Sequence, residues 1–302
     1  MTMKDLEYFA AIAKHRSITR AAAELFIAQP ALSQCLQKLE KETGLQLFVR
    51  QSRGVSLTSQ GECFLHFAQN VLREQEDMKK RMQDVENGEK GQIRLGFTGA
   101  QATFVLPYIL PQFQALHPGV SIVLVEATSN EIEEKLKNHE VDMGILHLPV
   151  LCGELDWFEL SRDEMVVVPR SGSSAVDYIY EKEGRQYLKT DFLRSEPLIL
   201  TPPEQRSRMV CDQILANAGV VPVIKQVSRN LSTLDALAQV DYASTIMPEK
   251  QVSPALRVRG YYHLEPGIAV PYTFVVATLK DSYLSIAAQA LREELFKKQF
   301  TF

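Results

Sequence analysis

The sequence predicts an α/β chain of more than one domain, and three observations predict it. The first 60 residues carry three short amphipathic helix patterns followed by a hairpin pattern with a basic tip. A long proline-free stretch comes next, with apolar residues at a sustained 3.5-residue spacing. From Gln92 onward, Val- and Ile-rich strand patterns alternate with helical ones, the β-α-β-α-β order of a parallel sheet. The chain has 302 residues, 45% hydrophobic and 23% charged, which is enough apolar material for sizeable cores in two or more domains.

The first predicted helix covers Asp5 to His15, with Leu6, Phe9, Ala10, Ile12 and Ala13 on one stripe. Ser17 caps a second helix from Ile18 to Phe26, with Ala21, Ala22 and Leu25 facing inward. After the short turn Ile27-Ala28, Pro30 sits in the first turn of a third helix, where its missing N–H costs nothing. That helix runs to about Glu42 and stops at Gly44. Strands are expected at Leu47–Arg50 and Val55–Leu57, joined by Gln51-Ser52-Arg53-Gly54. Thr58 and Ser59 are both capping residues for the long helix, Ser59-x-x-Glu62 fits a capping box, and the helix can continue to about Glu86. Phe64, Ala68, Val71, Met78, Met82 and Val85, with Gln75 between, step by four and three, the seam of a paired helix. Asn87-Gly88-Glu89-Lys90-Gly91 marks a hinge. The domain boundaries that follow are 1–60, 61–90 and 91–302.

The third helix divides its faces in a way that suits nucleic acid. Leu32, Leu36 and Leu39 form a buried stripe, and Gln29, Ser33, Gln34, Gln37 and Lys38 lie opposite. Glutamine can pair with adenine edges, serine adapts to several acceptors, and lysine reaches phosphates or guanine. A short turn after Leu25 packs the second and third helices steeply, as a helix-turn-helix requires. Arg53 at the hairpin tip is placed to reach a backbone phosphate or the minor groove. Residues 1–60 carry eight basic and five acidic side chains, about +3, within a chain of net charge −4. The bland alternative is a small bundle with a solvated polar face, which the ordered succession of helices, turn, basic hairpin and seam makes hard to reach by accident.

The segments Leu6-Glu7-Tyr8-Phe9, Ser17 to Leu25, Gln29-Pro30-Ala31-Leu32-Ser33-Gln34, Leu39 to Gly44, Leu47 to Arg50 and Leu57-Thr58-Ser59-Gln60-Gly61 resemble the N-terminal domain of LysR-type transcriptional regulators, almost without gaps over about 60 residues. The resemblance implies a winged helix-turn-helix, a long dimerising linker helix, and a two-subdomain effector domain like a periplasmic binding protein. It implies a homodimer or homotetramer on partly palindromic double-stranded promoter DNA, answering a small-molecule co-inducer, with RNA polymerase as a further partner. The family's DNA-facing positions are matched by Gln29, Pro30, Ser33, Gln34 and Lys38, with Arg50 and Arg53 at the wing. Ala28 departs from the family's usual Ser or Thr and removes an N-cap worth about 1 kcal/mol in general.

Ligands of such β/α folds sit beyond the C-terminal ends of strands, near helix N-termini. That rule nominates Thr98, Gly99, Ala100 and Gln101, then Thr128, Ser129 and Asn130, His147 in the third strand, and Thr201 and Pro202 from the other subdomain. Hydroxyls and N–H groups at helix starts suit a carboxylate or other small anion. Each could equally be a plain cap, and His147 a satisfied buried histidine. Asp241 and Tyr242 are expected to narrow one rim of the cleft, and residues 171–197 read as polar and irregular.

Other function classes find little support. Neither H-E-x-x-H, G-x-S-x-G nor a phosphate-binding loop occurs, and the six histidines show no ligand spacing, so no enzyme, metal or cofactor is expected. Cys35, Cys63, Cys152 and Cys211 are scattered, as buried or half-buried thiols in a reducing cytoplasm would be. The N-terminus lacks the form of a signal peptide and no run approaches a membrane span, so the expected location is the cytoplasm, at the nucleoid. A solute-binding protein without a DNA role is the alternative, opposed by the N-terminal 90 residues.

Overall fold

The computed structural model describes residues 1–52, 54–87, 90–99 and 104–298. It divides into two compact units, residues 1–86 and 87–302, so the long helix groups with the head.

The head comprises α1 (Met3–His15), α2 (Ile18–Glu24), α3 (Gln29–Thr43), β1 (Phe48–Gln51), β2 (Gly54–Leu57) and α4 (Ser59–Asn87). α1 begins two residues before its expected start because Thr2 and Asp5 form a reciprocal capping box. Its buried face is Leu6, Phe9, Ala11 and Ile12, with Ala11 in place of the expected Ala10 and Ala13. α2 ends at Glu24, and Phe26 turns into the left-handed region at φ 54°. Glu40 ties α3 to the hairpin: its Oε1 accepts the N–H groups of Leu47 at 2.8 Å and Phe48 at 3.2 Å. The cap of α4 is Thr58, whose Oγ1 accepts the Gly61 N–H at 2.9 Å and donates to the Gln46 carbonyl at 2.6 Å. Of the two candidate caps, Thr58 is therefore the one that serves.

The seam of α4 is split between two jobs. Ala68 is fully buried in the head's own core, and Phe64 and Val71 pack against the same cluster. Phe64 meets Phe9 edge-on, with ring centroids 4.8 Å apart. These three residues fasten α4 to its own head, and the full burial of Ala68 corrects its reading as partner-facing. Met78, Met82 and Val85 remain exposed on the far half of the helix.

The second unit holds two sheets. The first contains β3 (Gly91–Phe97), β4 (Val120–Glu126), β5 (Met143–His147), β6 (Leu155–Asp163) and β14 (Tyr272–Leu279), in the order β4-β3-β5-β14-β6. β3 pairs parallel with both neighbours, placing Leu95 beside Leu124 on one side and Met143 on the other. α5 (Leu106–Leu116), α6 (Ser129–Lys137) and the terminal α10 (Ile286–Lys297) accompany it. The second sheet, β11-β10-β12-β7-β13-β9-β8, contains β7 (Met165–Val168), β8 (Ile179–Lys182), β9 (Arg185–Leu188), β10 (Pro197–Leu200), β11 (Val223–Val227), β12 (Ser244–Pro248) and β13 (Tyr262–Leu264). α7 (Arg206–Asn217), α8 (Leu231–Gln239) and α9 (Pro254–Arg259) belong with it. The chain crosses between lobes twice, at Glu164 from β6 to β7 and over residues 265–271 from β13 to β14.

The stretch 171–197 is ordered, not irregular. β8 and β9 form a hairpin closed by Glu183 and Gly184, both at positive φ (54° and 75°), the two-residue turn whose twist matches its strands. The sequence pattern predicts strands at 93–97, 120–127, 143–148, 164–168, 198–200, 223–227, 244–247 and 272–279, and helices at 102–117, 131–139, 206–218, 231–239 and 283–296; β6, β13 and α9 lie outside these.

The wing rests on one close approach. Arg16 ends α1 in the left-handed region, and its carbonyl accepts the Val55 N–H at 3.0 Å. Gly54 sits there at φ 115°, and a Cβ on it would lie 2.3 Å from the Arg16 oxygen. The Gly54→Ala variant should lose about 1–3 kcal/mol of head stability through overpacking and an unfavourable backbone. Urea denaturation followed by far-UV circular dichroism measures this, and an unchanged midpoint would contradict the close approach.

Candidate functional site

In the head, the faces of α3 separate as the leucine spacing requires. Leu32, Leu36 and Leu39 are buried, whereas Gln29, Pro30, Gln34, Gln37 and Lys38 are exposed and Ser33 is half-buried beside them. Arg50 is exposed on β1, and Arg53 lies outside the described residues. Ala28 provides no side-chain cap, so the first turn of α3 keeps N–H groups available to an acceptor such as phosphate. Lys38 is only loosely engaged, 3.7 Å from Glu42 at the surface.

In the second unit, a cleft of about 710 Å³ opens between the lobes. Thr98, Gly99, Thr128, Ser129 and His147 line it, as do Asn130's neighbour Glu131 and the newcomers Arg206, Ser207 and Tyr272. Ala100 and Gln101 lie outside the described residues. Thr201 and Pro202 do not line the cleft. Thr201 is buried and shares a 2.8 Å hydrogen bond with the Ser207 hydroxyl, because residues 201–205 separate β10 from its helix and carry the helix start to Arg206. Asp241 and Tyr242 also stand elsewhere: Asp241 accepts the Ser171 N–H and pairs with Arg259, and Tyr242 lies under Lys225.

Three helix N-termini border the cleft. Thr128 caps α6 in a capping box with Glu131, and that bonding holds the Glu131 carboxyl below its usual range. Asn230 caps α8 through the Ser232 N–H at 2.9 Å. α7 starts without a side-chain cap, since Gln205 instead donates to the Arg229 carbonyl at 2.8 Å. Its leading N–H groups thus concentrate positive potential at the cleft.

Charge inside the cleft is tightly arranged. Arg206 Nη2 donates to Glu133 Oε1 at 2.6 Å, and both side chains are nearly inaccessible. Glu133 Oε2 accepts the N–H groups of Leu151 at 3.0 Å and Cys152 at 2.7 Å. The pair joins α7 of one lobe to α6 of the other. Tyr272 of the first lobe reaches Ser207 of the second and stacks on His147 at 3.9 Å. Burial pushes the Tyr272 phenol up, so it stays neutral. Burial first, and the Arg206 charge second, push His147 down to about 3.

Sequence reasoning missed Glu133, Arg206, Ser207 and Tyr272. The helix start at Arg206 was legible, and carrying the N-terminus rule to it would have found Arg206 and Ser207. Glu133 and Tyr272 carry no local signal, because their roles come from pairing across lobes.

Comparison with known proteins decides the family. The model for the LysR substrate binding domain matches residues 86–299, and that for the bacterial regulatory helix-turn-helix protein of the lysR family matches residues 3–62. The chain belongs to the LysR family of transcriptional regulators. This LysR-family regulator is 30% identical to the uncharacterized HTH-type transcriptional regulator YcgK of Bacillus subtilis (strain 168), over 97% of its own length and 93% of the relative's. Its fold matches full-length CbnR complexed with its target DNA at a TM-score of 0.53 and 23% identity, covering 99% of this chain and 100% of that one. It also matches the effector binding domain of QuiR in complex with shikimate at a TM-score of 0.61 and 19% identity, covering 70% and 97%. As a LysR-family regulator it binds DNA through its head and answers a small-molecule effector. Among the described residues, no helix is long and apolar enough to cross a membrane.

His147 gives a pH test of the cleft. The unfolded chain takes up this proton near pH 6.5, the folded chain only near 3. Between those values the unfolded state binds more protons, so stability from this group is lost as pH falls below 6.5. Its slope is at most about 1.4 kcal/mol per pH unit. His147→Phe, which keeps a ring against Tyr272, should flatten the pH dependence of stability between pH 6 and 4 by up to that amount. Urea unfolding followed by the single tryptophan, Trp157, measures it. Asp163, pushed up to about 6 mainly by burial, contributes the opposite slope equally to both proteins. An unchanged slope in the variant would contradict a neutral buried imidazole.

Proposed function

We propose that the exposed face of α3 reads DNA sequence while the cleft admits a small organic monoanion as effector. The observation that carries the effector reading is the uncapped start of α7, set beside two capped helix starts and the neutral His147. Backbone N–H groups there suit one carboxylate. Glu126 and Glu204 also line the cleft, which disfavours a polyanion and favours accompanying hydroxyl or amino donors. The QuiR effector domain bound to shikimate, a hydroxylated monocarboxylate, supports this class. The lining residues are assigned to binding and no catalytic step is assigned to any of them, and the regulator is placed at the nucleoid in the cytoplasm.

In the head, Gln29, Pro30, Ser33, Gln34, Gln37 and Lys38 form the reading face, with Arg50 and Arg53 on the backbone at the wing. Met78, Met82 and Val85 supply the pairing stripe of α4, since they are exposed and retain the four-and-three spacing. Pairing two heads spans two half-sites of a partly palindromic operator.

Three measurements test these roles. Gln34→Ala should weaken binding to the specific operator by about 1–3 kcal/mol while leaving binding to random DNA nearly unchanged. Equal loss on both, by fluorescence anisotropy at fixed salt, would remove Gln34 from base reading. In a thermal-shift comparison, hydroxylated monocarboxylates should raise the melting temperature more than their amides or than tricarboxylates, and a bound ligand at a hundred times Kd adds about 2.7 kcal/mol. Equal shifts for amides would refute the anion reading and leave the family assignment untouched. Met78→Glu with Met82→Glu should produce monomer in sedimentation velocity at concentrations where the parent pairs, and a paired double variant would place the interface elsewhere.

A further inference from the structure

We infer that Glu164, Glu249 and His263, none of which lines the effector cleft, form a site for a divalent first-row cation. One ligand atom from each lies within 4.8 Å of the other two. His263 Nδ1 stands 3.0 Å from Glu164 Oε2 and is wholly shielded from solvent, yet it makes no hydrogen bond of acceptable geometry. An imidazole nitrogen and a carboxylate oxygen at that separation hold positive charge between them, and a cation bound by both supplies it. A spacing of 3.0 Å is also close to the edge of a coordination shell with bonds of about 2.1 Å.

The surroundings orient the donors as outer-shell partners do. Arg185 Nη1 holds Glu164 Oε1 at 3.3 Å, and the Tyr261 hydroxyl donates to Glu249 Oε1 at 2.5 Å. Each carboxylate is thus anchored through one oxygen, leaving the other for an ion. The Glu249 N–H donates to the Glu164 carbonyl at 2.8 Å and pins the two segments together. The rings of Tyr187 and Tyr261 flank the imidazole, both at 5.9 Å, and Glu164 is half exposed, which provides an entry path. One imidazole and two carboxylates form the mixed nitrogen and oxygen set that zinc, cobalt or nickel accept, with water completing the shell.

The position gives such an ion a structural consequence. Glu164 is the single residue linking β6 to β7, and His263 lies on β13, just before the second crossing. A bound cation would brace both crossings at their second-lobe ends.

Full-length protein stripped with chelator and titrated with zinc chloride by isothermal calorimetry tests the site, with cobalt absorption in the visible range as an independent readout. The expected result is one ion per chain. His263→Ala should abolish binding, Glu164→Gln should weaken it at least tenfold, and Tyr261→Phe should weaken it about ten- to a hundredfold by releasing Glu249. Glu164→Gln alters a half-exposed side chain, so it reports on binding even if His263→Ala fails to fold. Absence of saturable binding by the parent protein, or zinc affinity unchanged in Glu164→Gln and Tyr261→Phe, would overturn the proposal.

Discussion

The two-lobed half of this regulator depends on one buried ion pair, Arg206 with Glu133. Neither charge has water to solvate it, so each must keep the other, and the lobes inherit that requirement. The pair adds little net stability of its own, since desolvating two charges offsets most of their attraction. What it supplies is position. Arg206 is the first residue of α7, so its guanidinium fixes where that helix begins, and therefore where the N–H groups of the uncapped end point. Glu133 is fixed in turn by the backbone N–H groups of Leu151 and Cys152. Burial, with the Arg206 charge adding to it, keeps His147 neutral and lets it serve as a flat surface for Tyr272.

The head follows a different economy. Its order comes from apolar packing and from backbone groups satisfied at short range. Glu40 ties the recognition helix to the hairpin, Thr58 caps the long helix, and the Arg16 carbonyl holds the wing. None of these contacts uses Gln29, Gln34, Gln37 or Lys38, whose side chains are exposed. A surface built this way keeps its own shape while its polar ends remain exposed, as the proposed reading of bases and phosphates requires.

Much of this was legible in the sequence because the signals were local. The leucines at 32, 36 and 39 gave the buried face of α3, and Gly44 gave its end. β3, β4 and β5 were visible as apolar runs, and Thr98, Gly99, Thr128, Ser129 and His147 followed from their place after or within them. What stayed hidden depended on distant partners or on strands with polar faces. β6 reads Leu-Asp-Trp-Phe-Glu-Leu-Ser-Arg-Asp and becomes a strand by pairing with β14. The β8–β9 hairpin lacks an apolar alternation, although Glu183-Gly184 was a usable turn signal. The α4 seam was read correctly as a period and wrongly as a single surface, because periodicity does not say which neighbour fills it: Ala68 went to the head, Met82 did not. Thr201 was misplaced by the length of the loop before α7.

A double-mutant cycle at Glu133 and Arg206 tests the central claim most directly, with urea unfolding followed by Trp157. Glu133→Leu alone should cost about 3–5 kcal/mol by leaving a buried, uncompensated guanidinium, and Glu133→Leu with Arg206→Met should regain most of that loss. A double variant no more stable than the single one would contradict the account, because the two charges would then not depend on each other.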